Sequence, residues 1–147
     1  MKKIAIASDH VGFLLKNPIK EHLLNAGHHI NDFGPQNANS VDYPDFAKMV
    51  CESIINNENE MGILFCGTGV GMSIVANKIP KIRAVVCSEP YSATMSRAHN
   101  NANVLTLGQR VVGVELAKKI VDEWIVTKFE SGRHQKRVDM FENNLNG

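Results

Sequence analysis

The sequence predicts an α/β fold in which a five-stranded, mainly parallel sheet lies between two layers of helices. Short apolar segments alternate five times with longer amphipathic segments, a pattern typical of β-α-β units. The chain has 147 residues, of which 44% are hydrophobic and 21% charged, as expected for one folded domain over residues 1–147. No internal repeat or linker interrupts the pattern.

The first strand and helix are indicated by their apolar spacing. The run at 3–8 is short and continuously apolar, typical of a strand buried on both faces. Segment 13–26 carries apolar side chains at helical spacing, and Gly27 follows it in the position of a helix-ending glycine. Pro18 could be accommodated in the first turn of this helix. The apolar positions of the helix are Leu14, Leu15, Ile19, Leu23 and Leu24.

The middle of the chain repeats this order of strand, helix and strand. Segment 28–33 predicts a second strand, and the polar loop 34–42 is rich in Asn, Ser and Pro. Segment 43–57 predicts a helix with Phe46, Ala47, Val50 and Ile54 on one face. The apolar run 61–66 predicts the third strand, which leads directly into a glycine-rich turn at 67–71.

The second half predicts two further strands and a helical tail. The long amphipathic segment 114–129 contains the single tryptophan, Trp124. The resulting fold is a Rossmann-like three-layer arrangement with a C-terminal helical tail. The remaining predicted elements are a helix ending near 78, a strand at 83–87, a helix at 90–99, a strand at 103–107 and a last helix from about 133.

Composition excludes several classes of protein. The net charge is +1, from 16 basic and 15 acidic side chains, which argues against a nucleic-acid-binding protein. The three cysteines are odd in number and lack CxxC spacing, which argues against a disulfide framework or a zinc site. Free thiols favour a reducing, cytoplasmic location. No signal peptide and no apolar run of roughly 20 residues is present, so we expect no membrane association.

The carboxyl ends of the strands are where parallel α/β sheets bind ligands. Polar or reactive side chains follow the first, third, fourth and fifth predicted strands, and others end the helix at 90–99. We expect an acid, two histidines, a thiol and an arginine among them to converge on one rim of the sheet. The candidates are Ser8, Asp9, His10, Cys66, Ser88, Glu89, Arg97, His99, Asn100, Gln109 and Arg110.

The segment Cys66-Gly-Thr-Gly-Val-Gly71 is the most informative motif. Its consecutive amides and the following helix N-terminus predict an anion site that favours a thiolate at Cys66. A thiolate beside such donors suits proton abstraction next to a carbonyl. The alternative is a tight turn with a buried cysteine. Met72 stands where a dinucleotide-binding GxGxxG motif has its third glycine, and a phosphatase loop would need Arg there.

Each remaining candidate residue also has a structural interpretation. Asp9 could cap the next helix, and His99 could simply favour the C-terminal end of a helix dipole. Arg133 and Arg137 lie four residues apart, so they share a helical face that could bind a phosphate or be only solvated. The other two thiols are expected to be buried and unreactive; these are Cys51 and Cys87.

Taken together, these motifs resemble the ribose-5-phosphate isomerase B family, which also contains allose-6-phosphate and galactose-6-phosphate isomerases. The match covers nearly the whole chain in order. It departs from the family at Asn101, where an acid is expected, and at Ser131, where glycine is common. The matching segments are 8–12, 42–44, 66–73, 76–78, 83–92, 97–100, 103–105, 108–112, 132–134 and Arg137.

The resemblance implies a role for each matching residue. Cys66 would be the base that moves a proton between C1 and C2, and Thr68 would hydrogen-bond the reacting oxygens. The amides of Gly67, Gly69, Val70 and Gly71 would hold the enediolate. His99 would open the sugar ring, while Asp9 and Asn100 hold hydroxyls. The phosphate and the substrate ends would be bound by His10, Arg110, Arg133 and Arg137.

The resemblance further implies an enzyme without metal or cofactor, whose site lies between the two subunits of a homodimer that could pair into a tetramer. The best substrate pair is ribose 5-phosphate and ribulose 5-phosphate. The alternatives are a hexose 6-phosphate such as allose 6-phosphate and, in another class, a phosphosugar-binding sensor. A sensor would not need the thiol of Cys66, whereas an isomerase of this type does.

Overall fold

The computed structural model describes residues 1–143 as five strands and six helices. The strands are β1 (Lys3–Ser8), β2 (His29–Asp32), β3 (Met61–Cys66), β4 (Ala84–Val86) and β5 (Val104–Gly108). The helices are α1 (Phe13–Asn25), α2 (Tyr43–Ile55), α3 (Val70–Asn77), α4 (Pro90–Ala98), α5 (Val114–Val126) and α6 (Arg133–Asn143). This order of elements confirms the predicted α/β fold.

The sheet has the strand order β2-β1-β3-β5-β4. Every pairing between neighbouring strands of the described part is parallel, so the sheet is more regular than the mainly parallel one expected. The chain passes from the centre to β2 and then crosses back to β3. The order therefore reverses between β1 and β3, which is the switch point where open α/β sheets form a ligand crevice.

The core consists of two apolar layers, one on each face of the sheet. Alternate residues of a strand point to opposite faces, so Ile6 packs in one layer and Ala7 in the other. Helices α1, α4 and α5 cover the first layer, where Trp124 is fully buried. Helices α2 and α3 cover the second, where Met72 is fully buried. Burial on both faces explains the continuously apolar sequence of β1 and β3.

Helix α1 differs from its prediction in two ways. Pro18 lies inside the helix and not in its first turn, so the carbonyl of Leu14 has no helical N–H donor. Leu14 is 64% exposed and Leu24 is 46% exposed, although both were predicted on the apolar face. Water can reach the region of the unpaired carbonyl, which explains why the helix tolerates the proline. Leu15, Ile19 and Leu23 form the buried stripe as predicted.

Helix α5 ends at Val126, three residues earlier than predicted. Thr127 has extended backbone angles, and its hydroxyl donates a hydrogen bond to the carbonyl of Glu123 at 2.6 Å. The side chain thus satisfies a carbonyl of the last helical turn. Across residues 1–143, the helices are all too short or too polar to cross a bilayer.

Candidate active site

The turn after β3 has the compact geometry that its glycines predict. Gly69 has a φ of +84°, a left-handed conformation that glycine adopts without strain. A β-carbon at this position would lie 3.0 Å from Val86 and 3.1 Å from the Leu107 backbone. The turn therefore needs glycine for both its backbone angles and its packing, and it brings the N-terminus of α3 next to the end of β3.

Cys66 ends β3 at the foot of this turn and is 6% exposed. The amide of Gly69 donates a hydrogen bond to the Cys66 sulfur at an N···S distance of 3.1 Å. A donated hydrogen bond and a helix N-terminus both stabilise negative charge on sulfur. The geometry thus places a thiol beside the N-terminus of α3, with an amide donor directed at its sulfur.

The other two cysteines have a different environment. Burial raises the pKa of Cys51 to about 12, with a further increase from the charge of Glu52. Burial, followed by the charge of Glu89, raises the pKa of Cys87 to about 11. Both thiols therefore remain protonated at neutral pH, and all three cysteines are free. This confirms the prediction that Cys51 and Cys87 are core thiols.

The segment after β5 holds the glycine turn in place. The amide of Gln109 donates to the carbonyl of Cys66 at 2.8 Å, and the amide of Arg110 donates to that of Gly67 at 3.0 Å. The Arg110 side chain packs on the turn, since a β-carbon at Gly67 would lie 3.8 Å from its Nη1. Arg110 therefore joins Cys66 on the same rim, as predicted.

Thr106 is a residue of this rim that the sequence did not single out. It is fully buried on β5, and its hydroxyl donates to the carbonyl of Gly69 at 2.7 Å. The opposite end of that peptide is the amide of Val70, which donates to Thr68 Oγ1 at 3.2 Å. Thr106 thus fixes the peptide that orients the exposed Thr68 hydroxyl. The sequence feature that could have identified Thr106 is its position as a polar residue at the centre of an apolar strand.

Asp9 and His10 lie beside the same rim, in the turn between β1 and α1. The Asp9 amide donates to the carbonyl of Phe65 at 3.1 Å, which joins this turn to β3. A β-carbon at Gly12 would lie 2.3 Å from the Phe65 carbonyl, so the two segments are in direct contact. Asp9 Oδ1 accepts a hydrogen bond from the Gly12 amide at 2.7 Å, which closes the turn before α1. The N-cap of α1 is Gly12, without a side-chain cap, so Asp9 does not have the capping role that the sequence left open.

The loop before α2 closes this side of the rim. The Val41 amide donates to His10 Nδ1 at 3.4 Å, and the Tyr43 ring packs on the first turn of α3. A β-carbon at Gly71 would lie 3.0 Å from that ring. Tyr43 belongs to a matching segment of the sequence, but its part in the site was not predicted. It covers the helix N-terminus that faces Cys66.

The expectation that all candidate residues share one rim is wrong. Helix α4 follows the carboxyl end of β4 and returns the chain to the start of the parallel strand β5. His99 and Asn100, at its end, therefore lie at the amino edge of the sheet, opposite Cys66. The six residues of β3 make this separation about 20 Å. The sequence interpretation treated a helix end as if it were a strand end.

Arg97 is also absent from the rim. Its guanidinium lies 5.7 Å from the ring centre of Trp124 and donates to the carbonyl of Ala102. Burial lowers the pKa of Arg97, with a smaller contribution from the charge of Arg83. Arg97 thus packs against the core near the amino edge.

Helix α6 carries Arg133 and Arg137 at the amino edge as well. Val138 of this helix lines the same small concavity as Ile55, at the end of α2, and Asn103, just before β5. The two arginines are exposed and lie four residues apart on one helical face, as predicted. They are free to bind an anion, but one that lies far from Cys66 of the same chain.

His99 lies in a cluster with Glu130 and His134. The two imidazole rings are stacked, with centroids 4.1 Å apart and planes inclined by 9°. Glu130 Oε1 lies 3.8 Å from His99 Nε2 and 3.5 Å from His134 Nε2. These three are the kinds of group that bind metal ions. However, the lone pairs of an imidazole lie in its ring plane, so two parallel stacked rings are poorly oriented to share one ion.

A concavity of about 740 Å³ lies at the β4 side of the amino edge, with Arg83, Asn100 and Phe141 among its lining residues. Cys66 is not part of it. The rim with Cys66 and this concavity are therefore separate features of one chain. The groups best suited to catalysis lie at the rim.

The geometry can be set beside known proteins. Residues 4–141 match the model of the family described as Ribose/Galactose Isomerase. The chain is 55% identical over 139 residues to ribose-5-phosphate isomerase B of Escherichia coli, across 95% of this chain and 93% of that protein. The overlap is therefore nearly complete on both sides.

Two solved structures are similar throughout. The ribose 5-phosphate isomerase of Thermotoga maritima is 50% identical with a TM-score of 0.94, covering 96% of this chain and 97% of that one. Ribose-5-phosphate isomerase B of Mycoplasma genitalium, with bound ribulose-5-phosphate, is 42% identical with a TM-score of 0.90, covering 95% and 93%. The fold and the sequence thus point to the same group of proteins.

Proposed function

The chain belongs to the ribose/galactose isomerase family, and from that premise we propose that it interconverts ribose 5-phosphate and ribulose 5-phosphate. The observation that carries the proposal is the Cys66 thiol, hydrogen-bonded to the Gly69 amide at the switch point of the sheet. The substrate pair is inferred from the relatives that have this activity. In the proposed reaction Cys66 is the base, and the amides of the glycine turn are the hydrogen-bond donors.

The isomerisation uses Cys66 as its base. The thiolate removes the proton from C2 of the open-chain aldose, and the C2–H electron pair forms the C1=C2 bond of an enediolate. The negative charge moves to the C1 oxygen, where Thr68 and the amides of the glycine turn stabilise it. A proton then returns from sulfur to C1, and the proton of the C2 hydroxyl passes to the C1 oxygen. The resulting C2 carbonyl and C1 hydroxyl are those of the ketose.

The other polar residues bind and prepare the substrate. We assign the ring-opening acid to His99 and the sugar hydroxyls to Asp9 and Asn100. The phosphate and the substrate ends are assigned to His10, Arg110, Arg133 and Arg137, because guanidinium groups bind phosphate through paired hydrogen bonds. The phosphate is remote from the bonds that change, so its binding energy orients the sugar.

These assignments require two copies of the chain. Cys66 and Arg110 lie at the carboxyl edge of the sheet, whereas His99, Asn100 and both C-terminal arginines lie at the amino edge. β4 is an edge strand, and a two-fold axis perpendicular to it would place the carboxyl edge of one copy against the amino edge of the other. A symmetric dimer of this kind has two identical composite sites.

The surface near β4 supports such a dimer. Apolar side chains that a monomer would leave in water border this edge strand, on α3, β4 and α4. A contiguous apolar patch of this kind on a monomer is typical of an interaction surface, whereas single exposed apolar residues are not. The side chains that border β4 are Val70 at 48% exposure, Ile74 at 56%, Val86 at 41% and Tyr91 at 72%. We propose a homodimer, which could pair further into a tetramer. The three free thiols favour the cytoplasm as its location.

Activity of the purified protein tests the proposal. Initial rates on ribose 5-phosphate, allose 6-phosphate and galactose 6-phosphate are compared, with Cys66→Ala beside the unchanged protein and Cys87→Ala as a control for loss of a buried thiol. We expect fastest turnover of ribose 5-phosphate, lost in Cys66→Ala with substrate binding retained, and kept in Cys87→Ala. Near-normal turnover by Cys66→Ala would contradict the role of the base.

The choice of sugar has its own outcomes. Faster turnover of a hexose 6-phosphate would replace the pentose by a six-carbon substrate and keep the mechanism. Binding of all three sugars without turnover by the folded protein would favour a phosphosugar sensor.

A further inference from the structure

His99 and His134 form a stacked pair at the amino edge of the sheet. The rings are nearly parallel, with centroids 4.1 Å apart, and the backbone keeps the two segments together. The amide of Glu130 donates to the carbonyl of Ala98 at 3.0 Å, and that of His134 donates to the carbonyl of Ser131 at 3.0 Å. The end of α4 and the start of α6 are thus joined through the connecting segment.

The two histidines differ in exposure. The His134 side chain is 9% exposed, whereas that of His99 is 39% exposed. Burial lowers the pKa of His134, and the nearby charges of His99, Arg133 and Arg137 lower it further against the opposing effect of Glu130. The lowered pKa favours the neutral form of His134 at neutral pH.

We propose that His134 and Glu130 are positioning residues for His99: His134 is a neutral platform that fixes the plane of the His99 ring, and Glu130 holds the Nε2 side of both rings. This inference rests on the proposed function, in which His99 opens the sugar ring. It adds two residues of the same chain whose effect is limited to that step.

Ring opening is a step separate from the proton transfer between C2 and C1. His99 gives a proton to the ring oxygen of ribose 5-phosphate, the bond between C1 and that oxygen breaks, and the proton of the C1 hydroxyl passes to water as the aldehyde forms. Ribulose 5-phosphate has its carbonyl at C2 and a phosphate on the C5 oxygen, so it cannot close a five-membered ring. Formation of the enediolate from the ketose therefore proceeds without this acid, whereas net isomerisation includes the ring step in both directions.

Two readouts test the proposal in His134→Ala, His134→Phe and Glu130→Gln. One is net isomerisation of ribose 5-phosphate, and the other is exchange of the C1 hydrogen of ribulose 5-phosphate with solvent deuterium, which requires only the enediolate. We expect His134→Ala to lose about tenfold in kcat/KM for net isomerisation, a part of the 10²–10⁴ that a general acid contributes, and less than about twofold in the rate of exchange. His134→Phe keeps a neutral stacked ring and should recover most of the loss. Glu130→Gln should lose several-fold in net isomerisation and little in exchange.

The controls separate a positioning role from a structural one. His22→Ala removes another histidine–carboxylate pair, in which His22 Nε2 lies 2.7 Å from Asp122 Oδ1 between α1 and α5, and should leave both readouts unchanged. Thermal unfolding shows whether each variant is folded. A loss of exchange as large as the loss of net isomerisation, an unchanged isomerisation rate in Glu130→Gln, or a His134→Phe variant without activity on ribose 5-phosphate would overturn the inference. Failure of the unchanged protein to isomerise either sugar would instead overturn the proposed function.

Discussion

The amide nitrogen of Gly69 lies 3.1 Å from the sulfur of Cys66, three residues earlier in the chain. This hydrogen bond exists because Gly69 takes a left-handed conformation and turns its N–H back towards the end of β3. The base and the donors of the proposed enediolate site therefore depend on the backbone angles of one glycine. A substitution that disturbs the turn should therefore also impair Cys66 as a base.

Gly69→Ala tests that dependence. We expect it to lower kcat by about 10²-fold, comparable to the loss of an oxyanion donor, and to destabilise the fold by about 1–2 kcal/mol. A β-carbon at 69 would meet Val86 and the Leu107 backbone and would require strained angles. Gly113→Ala is the control, because its β-carbon would have no neighbour within 4 Å and its φ is −78°. Full activity of Gly69→Ala would show that the turn tolerates other geometries.

Thiol alkylation should distinguish Cys66 from the other two cysteines. We expect iodoacetamide at pH 8 to modify Cys66 first, as read by peptide mass spectrometry. Cys51 and Cys87 are 0% and 3% exposed, and their raised pKa values leave little thiolate at that pH. In urea all three should react at similar rates. Equal labelling in the folded protein would mean that the turn does not activate Cys66.

The sequence predicted the elements with strong local signals and missed relationships set by topology. The bounds of β3 were predicted correctly, because an apolar run ends abruptly at a glycine turn. His99 was placed on the wrong edge, since the direction of a helix relative to the sheet follows from strand pairing and not from local spacing. Thr106 was missed because its partner, the carbonyl of Gly69, is 37 residues away in the chain.

The buried ion pair of Lys16 and Asp32 should stabilise the loop that leads to α2. Lys16 is 1% exposed, and its Nζ lies 2.9 Å from Asp32 Oδ1 and 2.8 Å from the carbonyl of Pro35. We expect Asp32→Asn to cost about 3–5 kcal/mol, because it leaves a buried ammonium without its anion. Lys16→Met should cost less than half as much, since Lys20 still pairs with Asp32 at 3.1 Å. Urea unfolding at pH 7 measures both.

The pH dependence of this pair has a definite sign. Burial alone would raise the pKa of Asp32, but hydrogen bonds from Lys16, Gly34 and Lys20 outweigh it and hold the pKa below its ordinary value of 3.8. A lowered folded-state pKa gives stability that is present above 3.8 and is lost as the pH falls through the folded value. Asp32→Asn should remove this part of the acid sensitivity. If the free energy of unfolding of Asp32→Asn falls as steeply below pH 4 as that of the unchanged protein, other carboxylates cause the acid sensitivity.

Ser131 occupies a position where the family resemblance predicts glycine, and its φ of +60° is a backbone angle that glycine adopts without strain. Ser131→Gly should stabilise the protein by about 0.5–1 kcal/mol, as relief of the left-handed strain exceeds the added entropy of the unfolded chain. Ser40→Gly, in an exposed loop without a positive φ, should instead destabilise by about 0.4–1 kcal/mol. Thermal unfolding of both variants measures the difference. A loss of stability in Ser131→Gly would contradict the strain.

The separation of Cys66 from Arg137 within one chain leads to a test of the composite site. Arg137→Ala should raise KM with little change in kcat, because it removes a phosphate contact far from the bonds that change. Lys136→Ala, at an exposed neighbouring position, should leave KM unchanged. When Cys66→Ala and Arg137→Ala chains with different tags are purified as a mixed dimer, one site receives both native residues and the other receives neither.

At a substrate concentration well below the KM of Arg137→Ala, both variant homodimers should be nearly inactive, and the mixed dimer should have about half the wild-type activity, since symmetry gives each dimer two equivalent sites. A mixed dimer no more active than its parents would mean that Cys66 and Arg137 serve the same site from one chain, or separate sites. The first explanation would require Cys66 and Arg137 of one chain to meet across the about 20 Å between the two edges, which the fold does not allow. Restored activity would therefore establish that two copies together form the site.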